Sequence, residues 1–526
     1  MIALLALLAC GEPAPVPPPP VVDPGDTDPH VVLVAPYLQT VTPTSAWVCW
    51  ETADGEETLV RFGPTEALGG IVAGTAAVGG HGVQHEAQLE GLLPDTSYWY
   101  SARTGATAST PVRFRTPPLA SSSKPFQLVA VSDMQRDDAY PDKWAQVVEQ
   151  GIIPYVTGYY AAELPEALGL LLVAGDLVDN GWNYEDWTGD FFSGAAPLAR
   201  QVPLYPVLGN HEGGSPAFFQ YFHLPENGTP GHEDQWWSTD YVNVRILGLD
   251  SNTGSNLPEQ LEWFDRVLAD TCTDDTIEFV LAELHHPYLS ELWPNGETAF
   301  TGDIVARLEA FSTACGKPSI HFFGHTHGYS RGQSRDHAHV WVDVASAGGA
   351  LDRWGSSGQA EYDNLTVSQD EYGFVVVEVE PGAFTVRRIS MGTPEAPRDN
   401  EVTDEITVRV DAIAPGTPTA ASPTAGATVD AAVTLQASPF THPSGGAHGA
   451  THWQVSADCD TFADPVVDRW EQYENWFQGV DIRAGADLTR TDIEGLAPGA
   501  WCWRSRYRDR GLAWSEWSEA ARFELE

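Results

Sequence analysis

Five short stretches along the middle of this 526-residue chain carry side chains able to hold cations. In order they are Ser132-Asp133-Met134-Gln135, Gly175-Asp176-Leu177-Val178-Asp179-Asn180-Gly181, Gly209-Asn210-His211-Glu212, His285-His286-Pro287 and Gly324-His325-Thr326-His327. Together they offer carboxylates, amides and imidazoles and no thiolate, a donor set suited to Fe, Mn or Zn. Any one of them alone reads as a turn or a satisfied core residue. Five in sequence, each just after an apolar run, read as one site. Two ions held about 3.5–4 Å apart need a shared carboxylate, and Asp176, placed after a strand-end glycine, is the natural bridge. The alternation in Gly-His-Thr-His lets both imidazoles reach the site from one extended segment.

The runs that precede these motifs (Gln127 to Ser132, Leu170 to Ala174, Phe279 to Leu284, Ile320 to Phe323) read as buried strands. Helical patterns at Pro258 to Ala269 and Asp303 to Ser312 alternate with them, which predicts a layered α/β domain over residues 125–411. Ligands at the carboxyl ends of strands fit that layout. Residues 31–118 differ: short strands such as Ser45 to Thr52, separated by turn signals, predict a β-sandwich. A Pro/Thr/Ala/Gly stretch at 412–428 reads as a linker, and residues 429–526 return to strand patterning. There Trp501, Trp503 and Tyr507 share one strand face, while Cys502, Arg504, Arg506 and Arg508 share the other. With Trp514 and Trp517 following, the arginines are expected to interleave with indole faces as a self-stabilising cation–π ladder on a spacer domain. The predicted whole is a multidomain chain: an N-terminal β-sandwich, a central α/β domain and a C-terminal β-sandwich.

The middle block resembles the calcineurin-like metallophosphoesterase family, and specifically its purple acid phosphatase-like branch. Ala35-Pro36-Tyr37-Leu38-Gln39 resembles the opening of the sandwich that precedes the catalytic domain in that branch, and Gly91 to Tyr100 resembles a fibronectin type III corner. The last block resembles a fibronectin type III module. The resemblance implies two metal ions. One would be held by Asp133, Asp176 and His327, and the other by Asp176, Asn210, His285 and His325. His211 and His286 would face substrate as catalytic residues, and Tyr329 and Arg331 would support the ligands from behind. Two positions depart from the branch. Asp179 stands where purple enzymes place the tyrosinate that gives their colour, so a colourless site is expected. Gln135 stands where relatives have His or Gly, and its amide oxygen is a further candidate ligand. The implied reaction is hydrolysis of a phosphate monoester by in-line attack of hydroxide, made available because the cations lower the pKa of bound water. A phosphodiesterase of the same superfamily is the alternative. A tethered adhesive or carbohydrate-binding protein with an inactive site is a third reading.

The formal charge of −46 argues against nucleic acid as a partner, since phosphate backbones are bound through Lys and Arg. It leaves small phosphate esters open, because bound cations reverse the local sign. Residues 1–9 are too short and apolar for a membrane span but fit a signal peptide, and Leu7-Leu8-Ala9-Cys10 resembles a bacterial lipobox with Cys10 as the lipidated residue. Residues 10–30, with Pro17 to Pro20, read as an extended tether. The expected location is extracytoplasmic, with the lipid anchor at the outer membrane or cell surface as the sole membrane contact. Cys272 with Cys315, and Cys459 with Cys502, fall within single blocks and are candidate disulfides, while Cys49 reads as a buried small hydrophobe.

Overall fold

The computed structural model describes residues 28–430 and 432–526; the expected signal peptide, Cys10 and the stretch up to residue 27 lie outside the described residues. At the N-terminus two antiparallel sheets face each other. One runs Val32–Gln39, Ser45–Thr52, Val83–Glu90, Thr75–Val78. The other runs Gly70–Ala73, Leu59–Gly63, Ser97–Thr104, Thr107–Ala108, with Val112–Arg115 also paired to Ser97–Thr104. The period-2 pattern sends Ala46, Val48 and Trp50 inward onto Val60, Tyr100 and Phe114 of the facing sheet. At the corner after Gly91, the Tyr98 hydroxyl accepts the Leu93 N–H at 2.9 Å, the tie that fixes such sandwich corners.

The central block is built from two larger sheets. The first runs Leu204–Pro206, Leu170–Val173, Phe126–Val131, Tyr372–Glu380, Ala383–Gly392, Pro397–Arg409, its first three strands parallel. The second runs Trp237–Tyr241, Val244–Gly248, Phe279–Glu283, Ser319–Phe323, His339–Asp343, Tyr329–Gln333, Leu365–Gln369, with the stretch from Val244–Gly248 to His339–Asp343 parallel. Leu128, Leu172 and Val376 of the first sheet share one core with Ile246, Leu281, Ile320 and Val342 of the second. Strands buried on both faces need runs of Val, Leu and Ile without alternation, which is how these read in the sequence. Helices Pro258–Thr273 and Ala299–Cys315 cover the outer face of the second sheet through Trp263, Phe264, Ile304 and Leu308. Cys272 and Cys315 join the ends of these two helices, Cys459 is bonded to Cys502, and Cys49 is free and buried, where burial pushes its thiol pKa up.

The last block has a three-stranded sheet (Ala420–Ser422, Val433–Ala437, Arg490–Ile493) facing a five-stranded one (Ala427–Val429, Ala521–Leu525, Gly499–Asp509, His448–Ser456, Val467–Gln472) around Trp453, Trp503, Tyr507 and Phe523. Two strands therefore come from residues read as linker, because small Ala, Thr and Val side chains pack at a sheet edge as readily as they fill a tether. The cation–π ladder is present, with Arg504 4.3 Å over Trp517, Arg506 4.4 Å over Trp514 and Arg508 5.4 Å over Trp514. It does not sit on a free-standing spacer. Arg508 donates to the Ser334 and His337 carbonyls at 2.9 and 3.0 Å, and the Trp514 indole donates to the Arg335 carbonyl at 2.6 Å. The block also lends the hairpin Trp476–Phe477 and Val480–Asp481 to the edge of the second central sheet, where Trp476 lies parallel to Val367.

Candidate metal centre

All five motifs follow strands of the two central sheets, and the sheets bring their ends together. Asp133 lies just past Phe126–Val131, Asp176 past Leu170–Val173 and Asn210 past Leu204–Pro206. His285 lies past Phe279–Glu283, and His325 and His327 past Ser319–Phe323. The turns are tight. Asp133, Asp176 and His325 hold φ of 59°, 50° and 69°, the left-handed region that costs a residue with a Cβ about 1–3 kcal/mol. Backbone hydrogen bonds between the motifs hold them there: Met134 N–H to the Asp176 carbonyl at 2.9 Å and Gly324 N–H to the His285 carbonyl at 2.8 Å. Two motif glycines are required by contact. A Cβ on Gly209 would stand 2.1 Å from Asp176 Oδ1, and one on Gly324 would stand 2.3 Å from Asp133 Oδ2.

The imidazole tautomers follow from their partners. A backbone carbonyl only accepts, so Nδ1 carries the proton in His285, which donates to the Ala174 carbonyl at 2.9 Å. The same holds for His327, which donates to Ala350 at 2.7 Å. Nε2 then presents a lone pair. In His285 that lone pair lies 3.0 Å from Asp176 Oδ2 and 3.0 Å from Asn210 Oδ1. In His327 it lies 3.0 Å from Asp133 Oδ1, a buried oxygen without a hydrogen bond. Such contacts need a positive charge, which a second proton on the imidazole supplies in the metal-free chain and a cation held between the donors would supply in its place. Two donors each about 2.1 Å from one ion stand about 3 Å apart in octahedral coordination. Asp176, His285 and His325 converge within 4.8 Å of one another. Gln135 is buried beside His327, its Nε2 2.9 Å from His327 Nε2 and its Oε1 unpartnered. The residues fit two cations: Asp133, His327 and Gln135 on one side, Asn210, His285 and His325 on the other, with Asp176 between the groups.

Protons report the same field. Burial alone would depress His285, but Asp176 and Asp133 outweigh it and lift its pKa to about 10. His327 is lifted to about 9 against burial, chiefly by Asp133. His325 is pushed down to about 4 and His286 to about 2, by burial first and then by the neighbouring imidazole His285. Burial opposes the ionisation of Asp133, yet His327 and His285 hold its carboxyl well below the usual range.

The two substrate-facing histidines fall differently. His211 is partly exposed, donates Nδ1–H to the Asp179 carbonyl at 2.6 Å and sets Nε2 3.8 Å from Asp176 Oδ2. His286 packs against the His325 ring at 4.5 Å with Nδ1 2.9 Å from Ser251 Oγ. The Asp179 side chain is exposed and lies 3.8 Å from His211 Nδ1, outside the donor cluster. Tyr329 and Arg331 do not support the ligands. Tyr329 donates to Asp404 at 2.7 Å, and Arg331 pairs with Asp404 at 2.6 Å and with Glu474 at 2.9 Å. Their strand turns them toward the buried interface with the last block.

Sequence reasoning missed three contributors. Glu212 is fully buried and accepts the N–H groups of Asp176, Leu177 and Gly209 at 3.0, 2.9 and 2.7 Å, holding the Asp176 turn; burial first, and Asp176 next, raise its pKa to about 7. Ser251 Oγ accepts the N–H of His286 at 2.9 Å. Asp352 accepts the His327 N–H at 2.9 Å. The pair Gly348-Gly349 was its one available signal, since a Cβ on Gly349 would lie 2.7 Å from the His327 ring.

Carboxylates and Nδ1-anchored imidazoles gathered where two α/β sheets end are the equipment of a metal-dependent phosphoester hydrolase. Residues 126–329 match the calcineurin-like phosphoesterase family, and residues 33–116 match the purple acid phosphatase N-terminal domain. Among solved structures the chain is similar to the purple acid phosphatase PPD1 from yellow lupin (Lupinus luteus) seeds. That match has 17% identity and a TM-score of 0.57 over 72% of this chain and 74% of that one. It is also similar to PhoD, at 12% identity and a TM-score of 0.55 over 72% of this chain and 90% of that one. No curated protein matches the sequence. The calcineurin-like phosphoesterase match implies a dinuclear metal centre and a phosphate ester substrate.

Proposed function

We propose that this chain hydrolyses phosphate monoesters at a pair of cations drawn from Fe, Mn and Zn. The observation that carries the reading is the convergence of donor atoms: Asp176, His285 and His325 within 4.8 Å of one another, and His327 Nε2 3.0 Å from Asp133. Asp133, His327 and Gln135 would hold one ion and Asn210, His285 and His325 the other, with Asp176 shared. Bound there, the cations would supply Lewis acidity, acidifying water and neutralising phosphoryl oxygens. The chain's own part is to orient and to move a proton. Ala174 and Ala350 carbonyls fix the ligand rings, and Glu212 fixes the Asp176 turn. His211 is the group placed to protonate the leaving oxygen: it is partly exposed, its Nδ1–H tie to Asp179 leaves Nε2 on the Asp176 side, and in its doubly protonated form it would give the Nε2 proton and return to the neutral ring. His286, packed on His325 and tied to Ser251, is placed to orient.

The match of residues 33–116 to the purple acid phosphatase N-terminal domain supports the monoester reading. Assay of the metal-loaded chain on p-nitrophenyl phosphate beside its bis ester tests this, with faster turnover expected on the monoester. Faster turnover on the diester overturns the monoester reading. The purified protein is expected to lack a tyrosinate–iron absorption band, since Asp179 occupies that position.

The same reading places the enzyme outside the cytoplasm, tethered through Cys10. The lipobox-like Leu7 to Cys10 and two disulfides support an oxidising, membrane-anchored setting.

A further inference from the structure

One candidate ligand of the site, His327, is held on its Nδ1 and backbone side by the segment 344–364, which joins strand His339–Asp343 to strand Leu365–Gln369 and has no helix or strand of its own. The Ala350 carbonyl takes the His327 Nδ1 proton at 2.7 Å, and the Asp352 carboxylate takes its backbone N–H at 2.9 Å. Asp352 N–H returns to the His327 carbonyl at 2.8 Å, and Gly349 N–H reaches the Asp133 carbonyl at 2.8 Å. A loop of this length without internal ladders takes its rigidity from what it touches.

Its far side is held by Glu291, Leu292 and Asp370 of its own block and, beyond them, by the last block. The Trp354 ring meets the Phe477 ring at 5.1 Å and 66°, an edge-on contact. Glu361 Oε1 accepts from Asn475 Nδ2 at 3.1 Å, and the Asp363 carbonyl accepts from Gln472 Nε2 at 2.7 Å. These contacts come from a fixed piece of chain. Asn475 is buried and its N–H is tied to Asp481 at 3.0 Å, while Trp476 is paired to Val367 as an added strand. The loop is thus clamped between a metal-ligand motif and a segment more than a hundred residues further along.

We propose that the last block is a working part of the metal centre: Asn475 and Phe477 are positioning residues that hold loop 344–364 and, through Ala350 and Asp352, keep the His327 ring aimed at the site. The inference rests on the metal reading above. Partners that orient a ligating imidazole from outside its coordination sphere commonly govern affinity and activity by roughly 10–100-fold.

The test compares full-length wild type with Asn475→Ala, Phe477→Ala, Phe477→Tyr, the double variant Asn475→Ala/Phe477→Ala, and Thr434→Ala on an exposed strand of the same block as control. Zn2+ affinity is read by competition with a chromophoric chelator, beside kcat and KM on p-nitrophenyl phosphate and the thermal midpoint. The expected result is a loss of roughly tenfold in affinity at one of two Zn2+ sites in the double variant. A matching fall in kcat and little change in KM should accompany it, with Phe477→Tyr and Thr434→Ala behaving as wild type. Should the double variant not fold, Asn475→Ala alone is read the same way. Wild-type Zn2+ affinity and kcat in the folded variants overturn this inference and leave the metal reading standing. A wild-type chain that takes up no Zn2+, Mn2+ or Fe overturns both.

Discussion

The histidines of the site divide by where their Nε2 stands. In His285, His327 and His211 alike a backbone carbonyl takes the Nδ1 proton and leaves Nε2 to face the site; in His285 and His327 Nε2 stands 3.0 Å from a carboxylate oxygen, whereas in His211 it stands 3.8 Å from Asp176. That division gives a prediction. His211→Ala should cut turnover by about 10²-fold while two metals remain bound, because a positioned proton donor contributes on that order. Asp176→Ala should lose both turnover and metal, because the shared carboxylate goes. Metal analysis beside kcat checks the pair, and equal metal loss in both variants would undo the assignment. At this scale the candidate ligands were legible because each carries its chemistry in its own side chain at a strand end, Asp176, Asn210 and His325 directly after a glycine. Glu212 was not, since its role is to accept N–H groups from residues 176, 177 and 209 that only the fold brings to it. Arg331 misled for the converse reason: sequence proximity to His327 says nothing about which face of the strand it leaves from, and Asp404 takes it.

Strand ends do the positioning, so the elements that matter are those that keep the two sheets in register. The runs around residues 127–132, 170–174, 279–284 and 320–323 were legible as strands because burial on both faces demands uninterrupted aliphatic sequence. The helices were legible from their periodicity, although Ala299–Cys315 starts four residues before its pattern becomes clear, at Thr298, whose hydroxyl caps the Thr301 N–H. The strands at Ala420–Ser422 and Ala427–Val429 were not legible, being short, small-residue edge pieces amid proline. The bond between Cys272 and Cys315, 43 residues apart, ties the ends of the two helices that cover the second sheet. By loop-closure entropy its removal should cost about 4 kcal/mol. Chemical denaturation of Cys272→Ala/Cys315→Ala against wild type checks this, and a change under about 1 kcal/mol would show that the unfolded chain gains little freedom from losing the link.

Across the whole molecule, the three blocks were legible as composition shifts, but how they meet was not, because interface contacts such as Arg508 on the Ser334 carbonyl or Tyr37 on the Tyr221 carbonyl have no local signature. The formal charge is −46, and arginines such as Arg331, Arg504 and Arg506 are taken up by ion pairs and indole faces. A chain so acidic offers a phosphate ester no attraction except at its cations. The proposed tether belongs to this scale too: Cys10→Ser should move the protein from the membrane to the soluble fraction with activity retained, and membrane retention of the variant would refute lipidation at that residue. The hairpin Trp476–Phe477 with Val480–Asp481, at the rim of the second central sheet, has a consequence for the order in which the molecule is made. That sheet's last strands are encoded more than a hundred residues after the strand they join, so a ribosome must finish nearly the whole chain before the sheet can close. Long-range pairing of this kind folds slowly. The clamp on the loop that holds His327 is therefore among the last contacts the chain can make, and metal uptake is expected to follow synthesis of the last block.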